Sequence, residues 1–140
     1  MKPSKAEDIM VRNVISCQAG DTLAHARQLM KNHSIRHIPV VNDQGELVGL
    51  ITQKTMLRET FLIASRFGMA DLEYQEKKKK VADFMETGVE TIQAQLPLLD
   101  AGRYFVESKQ GCLPVLDEGR VVGMLTSADF VKLSVQLLES

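Results

Sequence analysis

The chain has 140 residues, of which 44% are hydrophobic and 25% are charged, and its 17 basic and 18 acidic side chains leave a formal net charge of -1. This composition is typical of a globular protein that buries a sizeable core. A charge so close to zero excludes a general attraction to nucleic acid or to membrane surfaces, and we expect neither as a partner.

The beginning of the sequence carries no apolar stretch of the kind found in signal peptides. No apolar run approaches the roughly 18 residues that a membrane-spanning helix needs. We therefore expect a cytoplasmic location.

The first half predicts a strand, a helix, a hairpin and a second helix, in that order. The short run "NVISCQ" is β-prone, and Asp21-Thr22 opens a helix after it. The runs "HIPVV" and "LVGLIT" are separated by "NDQGE", which predicts two strands joined by a glycine-containing turn. The closing helix begins at about Gln53, and apolar residues at helical spacing extend it well beyond the repeat.

The second half repeats this order with "GVETIQ", a helix opened by Leu96-Pro97, the strands "CLPVL" and "VVGMLT", and a helix from Ser127. We expect the Ser127 hydroxyl to cap that helix. The halves align at two neighbouring offsets, which pair Asp8 with Asp83, Met10 with Met85, Pro39 with Pro114, Gly49 with Gly123 and Thr52 with Thr126. We predict an α/β (α+β) fold with repeat 1 over 6–60, a helical and basic linker over 61–79 and repeat 2 over 80–135.

The end of the last strand in the second half carries the polar residues of a candidate ligand site. Asp129 lies in the first turn of the closing helix, where a carboxylate can accept hydrogen bonds from both hydroxyls of a ribose. Thr126 offers a hydroxyl beside it, and the helix N-terminus favours an anion. Taken alone, Asp129 is more simply an early-helix acid that complements the helix dipole.

The corresponding position in the first half is Thr55, although Thr52 is retained in the place of Thr126. A neutral hydroxyl cannot replace a carboxylate as a double acceptor. We therefore expect the first site to be weaker or empty, with Lys54 available to meet a phosphate.

The remaining thiols and imidazoles do not predict a metal site. Cys17 and Cys112 are isolated among apolar neighbours, and we expect both to be reduced and packed. His33 and His37 are four residues apart, but the intervening "SIR" leads into a strand and no further ligand completes a set. We expect no metal.

Three motifs recur in both halves: an early "DIM" or "DFM", a strand containing "IPVV" or "LPVL", and a terminal glycine, two apolar residues and threonine followed three positions later by Asp129 or Thr55. In this the chain resembles a tandem pair of CBS domains, also called a Bateman module, from about Ala6 to Leu133. The resemblance implies two repeats related by a pseudo-twofold axis. It also implies a regulatory module for an adenosine ligand (AMP, ADP, ATP or S-adenosylmethionine), with no required cofactor and no catalytic residues.

The resemblance assigns Asp129 and Thr126 to the ribose. It places the adenine between the Val89-Glu90 segment and Met124, near Ser108. Further residues that it brings to this site are Ser127, Gly111, Cys112 and Pro114, with Arg36 and His37 from the other repeat facing the phosphates across a central cleft. The weaker second site would comprise Thr52, Thr55, Lys54, Val14 and Ile15.

For Arg36 and His37 the simpler alternatives are a surface arginine and a packed histidine. The resemblance also implies a homodimer formed through the apolar closing helices. Because the repeats occupy nearly the whole sequence, we expect an unidentified effector protein as the regulated partner.

Two other function classes stay open from the residues themselves. An enzyme would need a nucleophile elbow, a phosphate-binding glycine-rich loop with lysine, or paired metal ligands, and none of these patterns occurs. An interaction scaffold with an empty pocket would have no need of both Asp129 and Thr126. We therefore favour a ligand-binding regulatory module over both alternatives.

Overall fold

A computed structural model describes residues 2–140, which form helices and short strands in a mixed α/β arrangement. The elements are α1 (Leu23–His33), β1 (His37–Val41), β2 (Leu47–Thr52), α2 (Gln53–Phe67), α3 (Leu72–Lys77), β3 (Ile92–Gln93), α4 (Leu98–Glu107), β4 (Cys112–Asp117), β5 (Arg120–Thr126) and α5 (Ser127–Glu139). Single 3-10 turns occur at Ala6–Asp8, Met69–Asp71 and Val81–Asp83. Residues 15–89 form one compact unit, the first-repeat unit, and residues 2–14 with 90–140 form another, the second-repeat unit.

The first-repeat unit is built on the antiparallel hairpin of β1 and β2, as the sequence predicts. Its core combines the inward residues of this hairpin with the apolar face of α1, and Leu23, Ala26, Ile38, Val40 and Ile51 are all fully buried there. Thr22 caps α1 by accepting a hydrogen bond from the backbone N–H of His25 at 3.1 Å. The predicted opening of this helix is thus confirmed.

The second-repeat unit has the antiparallel pair β4 and β5, with the two-residue β3 added in parallel beside β4. Val115, Leu125 and Ala101 of α4 are fully buried in its core, and Phe105 and Phe130 pack against it with ring centroids 5.7 Å apart. α4 and α5 therefore cover the sheet on one side. Both hairpins that the sequence predicts are present.

Each unit also contains a short segment from the other repeat. In both cases it is the segment that precedes that repeat's first predicted strand. The N-terminal segment joins the second-repeat unit, where Ala6 donates to the Leu96 carbonyl at 2.8 Å and Val11 pairs with Met124. In the first-repeat unit, Val81 donates to the Asp21 carbonyl at 2.8 Å and Glu86 pairs with Leu50. The compact units therefore do not coincide with the sequence repeats over 6–60 and 80–135, which stay predicted boundaries.

The two segments that join the unit of the other repeat, here called the exchanged segments, explain why the same methionine and glycine recur in both halves. Met10 lies against Gly123, and Met85 lies against Gly49, so closely that a Cβ on either glycine would overlap the methionine sulfur. Only a residue without a side chain leaves room for the thioether. The repeated "DIM" and "DFM" motifs are therefore packing motifs.

The segment between the repeats is anchored by one buried carboxylate. Glu76 of α3 is fully buried, and it accepts a hydrogen bond from Arg27 Nε of α1 at 2.6 Å. The Thr60 hydroxyl of α2 is 3.5 Å from its other oxygen. A buried charge requires such partners, so α3 is held against α1 and α2. The predicted extension of the first closing helix is confirmed by α2.

One expectation about local structure holds only in part, and another is wrong. The β-prone runs over 13–18 and 88–93 form only a single bridge from Cys17 to Val40 and the two-residue β3, because each has a partner strand along a short part of its length. The α5 cap is Thr126, not Ser127, which is the first residue of the helix.

Within residues 2–140, no helix combines the length and the apolar character needed to cross a bilayer. In the same part of the chain no three histidine, cysteine or acidic side chains are grouped to hold a metal ion. Cys17 and Cys112 are free thiols and both are buried, as the sequence predicts.

Candidate functional site

The second-repeat unit brings Thr126 and Asp129 together where β5 passes into α5. Asp129 lies in the first turn of the helix and is 8% exposed. Its Oδ2 accepts hydrogen bonds from the backbone N–H of Thr126 at 2.8 Å and from the Thr126 hydroxyl at 3.2 Å. This is a capping box, in which the carboxylate pairs an N–H group at the start of the helix. The predicted pair is adjacent, and it also has a structural role.

The second carboxylate oxygen of Asp129 is available to a ligand. Among residues 2–140, Oδ1 has no hydrogen-bond partner, and no fully buried side-chain oxygen in that range lacks one. Oδ1 is therefore reachable from solvent although the residue as a whole is buried. The capping box fixes the carboxylate so that Oδ2 is held by Thr126 and Oδ1 is a free acceptor.

The end of β5 that leads to Asp129 is paired with buried residues of β4. Cys112 opens β4 directly opposite Thr126, and Pro114 lies opposite Met124. All but Thr126 are buried. Burial, and to a smaller extent the negative charge of Asp129, raise the pKa of the Cys112 thiol to about 12. Cys112 is therefore a neutral wall of the site, not a nucleophile.

Gln110 is a residue that the sequence analysis missed. Its side-chain Nε2 donates to the Cys112 carbonyl at 2.7 Å and to the Glu90 carbonyl at 3.1 Å, and its Oε1 is 3.4 Å from the Glu90 backbone N–H. The Ser108 hydroxyl accepts from the Gln110 backbone N–H at 3.2 Å. The Gln110 amide thus links Glu90, in the segment predicted to contact the adenine, to the start of β4. The sequence does contain one sign of this role: the position of Gln110 is occupied by the apolar Ile35 in the first repeat.

The equivalent junction of the first-repeat unit lacks a carboxylate. Thr52 Oγ1 caps α2 by accepting from the Thr55 backbone N–H at 3.2 Å, and it lies 3.2 Å from the Thr55 hydroxyl. Thr55 is 4% exposed, so its hydroxyl is occupied and buried. Lys54 is exposed beside it. The junction keeps the fold of the second repeat without an anionic acceptor.

Arg36 and His37 belong to the first-repeat unit, at the entrance to β1. The Arg36 side chain is exposed, while its backbone carbonyl accepts from Gln53 N–H at 2.8 Å. Burial lowers the pKa of His37 and the neighbouring Arg36 charge lowers it further, against an opposing effect of Glu86. A neutral imidazole at pH 7 contributes no charge to phosphate binding, so Arg36 is the better predicted cation of the two.

The other predicted residues are divided between the units. Glu90, Ser108, Gly111 and Ser127 belong to the second-repeat unit with Asp129. Val89 and Ile15 lie at the two ends of the first-repeat unit, and Val14 falls in the second-repeat unit. The predicted participation of Val89, Arg36 and His37 in a site at Asp129, and of Val14 in a site at Thr55, stays a prediction.

Comparison with protein families gives one match in each half of the chain. The family model described as the CBS domain matches residues 6–61 and 81–136. Among curated proteins, an uncharacterized protein of Methanocaldococcus jannaschii is 28% identical over 135 residues, which is 94% of this chain and 32% of that protein. The chain spans well under half the length of the first curated relatives that it matches.

Solved structures agree with this match over almost the whole chain. A protein from Vibrio cholerae named for acetoin utilization has a TM-score of 0.81 and 30% identity, with 96% of this chain and 93% of that chain covered. CBSX2, a CBS-pair protein of Arabidopsis thaliana, has been solved in complex with AMP. That complex has a TM-score of 0.79 and 25% identity, and it covers 96% of this chain and 98% of CBSX2.

Proposed function

Because this chain belongs to the CBS-domain family, we propose that it is a regulatory module that binds an adenosine nucleotide at the junction of β5 and α5. AMP, ADP and ATP are the ligands proposed, and the module requires no other cofactor. The module carries out no reaction. Binding shifts it between conformations that a separate effector protein distinguishes.

The free Oδ1 of Asp129 is the observation that supports this proposal most strongly. Oδ2 is held by Thr126 at 2.8 and 3.2 Å, so the carboxylate cannot rotate without loss of the cap. The ribose hydroxyls can donate to Oδ1, and Oδ2 retains capacity for a further donor. A hydrogen bond to a charged group contributes roughly 1.5–3 kcal/mol. The AMP complex of CBSX2 shows that a protein of this fold binds such a ligand.

The rest of the junction suits the other parts of a nucleotide. Met124 and Pro114 are apolar walls for a base, and the start of α5 presents unpaired N–H groups near Ser127 to a phosphate. The guanidinium of Arg36, in the first-repeat unit, is exposed and always charged, and its contact with a phosphate stays a prediction from the resemblance. Thr55 in place of a carboxylate leaves the first junction weaker or empty.

A calorimetric titration with AMP, ADP, ATP and S-adenosylmethionine tests this proposal. Asp129→Asn keeps the size of the side chain, and it should weaken nucleotide binding by about tenfold to more than a hundredfold, because a neutral amide replaces the charged acceptor. Thr55→Ser, at the equivalent position of the other junction, is the matched control and should leave the affinity unchanged. Equal affinity in wild type and Asp129→Asn would contradict the proposed site.

The absence of catalysis is tested in the same samples. ATP incubated with the protein should be recovered unchanged after binding. Conversion of the nucleotide at a rate that depends on the protein would show an enzyme in place of a binding module.

We also propose a homodimer formed through the closing helices. Leu57 and Phe61 on α2, and Val131 and Leu138 on α5, are large apolar side chains that are more than half exposed. Such surfaces on both closing helices are typical of protein interfaces. Sedimentation at micromolar concentration should give twice the mass of one chain, and Val131→Glu should shift it toward the mass of a monomer.

A further inference from the structure

Gln110 hydrogen-bonds the backbone of Glu90, in the segment that the resemblance to CBS domains places beside the adenine. Its carboxamide accepts from the Glu90 N–H at 3.4 Å and donates to the Glu90 carbonyl at 3.1 Å. Glu90 lies just before β3, and neither of these backbone groups has another partner among residues 2–140. The only pairing of Glu90 within that part of the chain is therefore with a single side chain.

A carboxamide and the edge of adenine present the same hydrogen-bonding pattern. The carboxamide has an acceptor oxygen next to a donor NH₂ group, and adenine has the acceptor N1 next to the donor N6 amino group. An adenine that reads a backbone N–H and C=O therefore needs the two groups that Gln110 now holds. Hypoxanthine reverses the pattern, since its N1 is a donor and its O6 is an acceptor.

We propose that Gln110 is an internal substitute for the adenine edge, which the nucleotide displaces when it binds. This inference rests on the proposed function. It makes Gln110 a residue that lowers affinity, because its amide closes the ligand-free site. The Glu90 backbone groups set base selectivity, because only a base with the adenine pattern restores the two bonds that displacement breaks there. The Cys112 carbonyl at 2.7 Å loses its amide partner in the same step.

The closed state lowers the observed affinity. If only a fraction of molecules have the Glu90 groups free, the dissociation constant rises by the inverse of that fraction. Displacement breaks three bonds of the Gln110 amide, of 2.7, 3.1 and 3.4 Å, and the adenine restores only the two at Glu90, so we expect the closed state to lower the affinity by a few-fold to about tenfold. A fixed structural clamp would have the opposite consequence, since loss of a clamp disorders the pocket and weakens binding.

The variant Gln110→Met separates the two possibilities, because methionine keeps the length of the side chain but has no amide. We expect it to bind AMP about threefold to tenfold more tightly than wild type. Gln95→Met, on an exposed position of the same unit, is the matched control and should bind AMP as wild type does. Inosine monophosphate should bind more weakly than AMP to both the wild type and Gln110→Met, because its edge does not match the Glu90 groups.

A second measurement follows Gln110 directly. The side-chain NH₂ resonance of Gln110 is identified by its absence from the nitrogen–proton spectrum of Gln110→Met. Saturation of the wild type with AMP should shift this resonance to the position of a solvent-exposed amide and speed its exchange with water. A resonance that does not move would overturn the proposal.

The outcomes distinguish this inference from the function on which it rests. If AMP binds neither the wild type nor Gln110→Met, the proposed function fails and the inference fails with it. If both bind AMP through Asp129 but Gln110→Met is equal or weaker, the nucleotide site stands and the role of Gln110 is refuted. Equal affinity of Gln110→Met for AMP and inosine monophosphate refutes the selectivity.

Discussion

The two junctions between a hairpin and its closing helix have the same backbone plan and different chemistry. In the second repeat, Thr126 and Asp129 form a capping box with one carboxylate oxygen free. In the first, Thr52 and Thr55 satisfy each other and leave a buried neutral hydroxyl. Both helices are capped, so the cap alone does not require the carboxylate. The difference between the repeats therefore concerns what each junction can bind.

A second difference follows the first. Gln110 covers the Glu90 backbone groups in the second repeat, whereas Ile35 stands at the equivalent position of the first. Ile35 has no amide, and its backbone N–H donates to the Met30 carbonyl at 3.1 Å, at the end of α1. The junction with the free carboxylate is also the one whose loop carries a displaceable polar group.

Placing a carboxylate at the first junction, as in the second, should give the largest effect on AMP binding. Thr55→Asp places a carboxylate three residues after Thr52, as in the second repeat, and restores the reciprocal capping pair. We expect AMP affinity at the first junction to rise by about tenfold to a hundredfold, since the new hydrogen bonds involve a charged acceptor. Calorimetry should then show two nucleotides per chain in place of one.

The control is Thr55→Asp combined with Asp129→Asn, which should bind one nucleotide at the first junction only. No binding by this double variant would show that the other walls of the first junction, and not Thr55, prevent nucleotide binding.

Substitution of Gly49 and Gly123, which lie against Met85 and Met10, tests whether a side chain at these positions destabilises the two units equally. Gly49→Ala should lower the free energy of unfolding by about 1–3 kcal/mol, because the new Cβ would lie 3.0 Å from the Glu86 carbonyl oxygen as well as against Met85. Gly123→Ala should cost less, since only the flexible Met10 side chain lies in the way. Denaturant unfolding of both variants measures the difference.

Gly20→Ala is the matched control, because nothing lies within 4 Å of the Cβ it would add. It should leave the free energy of unfolding close to that of wild type. If Gly123→Ala proved the more damaging of the first two, the packing of the N-terminal segment would be tighter than the contacts of Met10 indicate.

The smallest effect concerns pH. Burial and then Arg36 lower the pKa of His37 in the folded protein, so the unfolded chain binds the proton more readily. The folded state should therefore lose stability as pH falls below the ordinary value of 6.5, and the loss should level off below the lowered pKa. His37→Gln should remove this part of the pH dependence in denaturant unfolding between pH 5 and 7.5. An unchanged pH dependence of the free energy of unfolding in His37→Gln would show that another group causes it.

The sequence predicted those features of the fold that follow from hydrophobic spacing and turn residues. The two hairpins and the long α2 are of this kind, because a glycine turn or a helical period is a local signal. The exchange of the segments around Met10 and Met85 could not be predicted. Two similar repeats offer the same partner to each segment, and only the assembled fold decides between them.

For the candidate site, the sequence predicted the residues but not their mutual contacts. Asp129 and Thr126 are near each other in sequence, so their adjacency follows from a helix start. The free Oδ1 and the capping role of Oδ2 depend on one rotamer, which the sequence does not specify. Gln110 was missed because its partners lie in a loop and a strand end, where no periodic pattern constrains a side chain.

A crystal structure of the protein with AMP tests the proposed site most directly. We expect the nucleoside at the β5–α5 junction, with its ribose hydroxyls on Asp129 and its adenine on the Glu90 backbone in place of the Gln110 amide. Nucleotide bound against Thr55, with the Asp129 junction unchanged from the ligand-free protein, would contradict it.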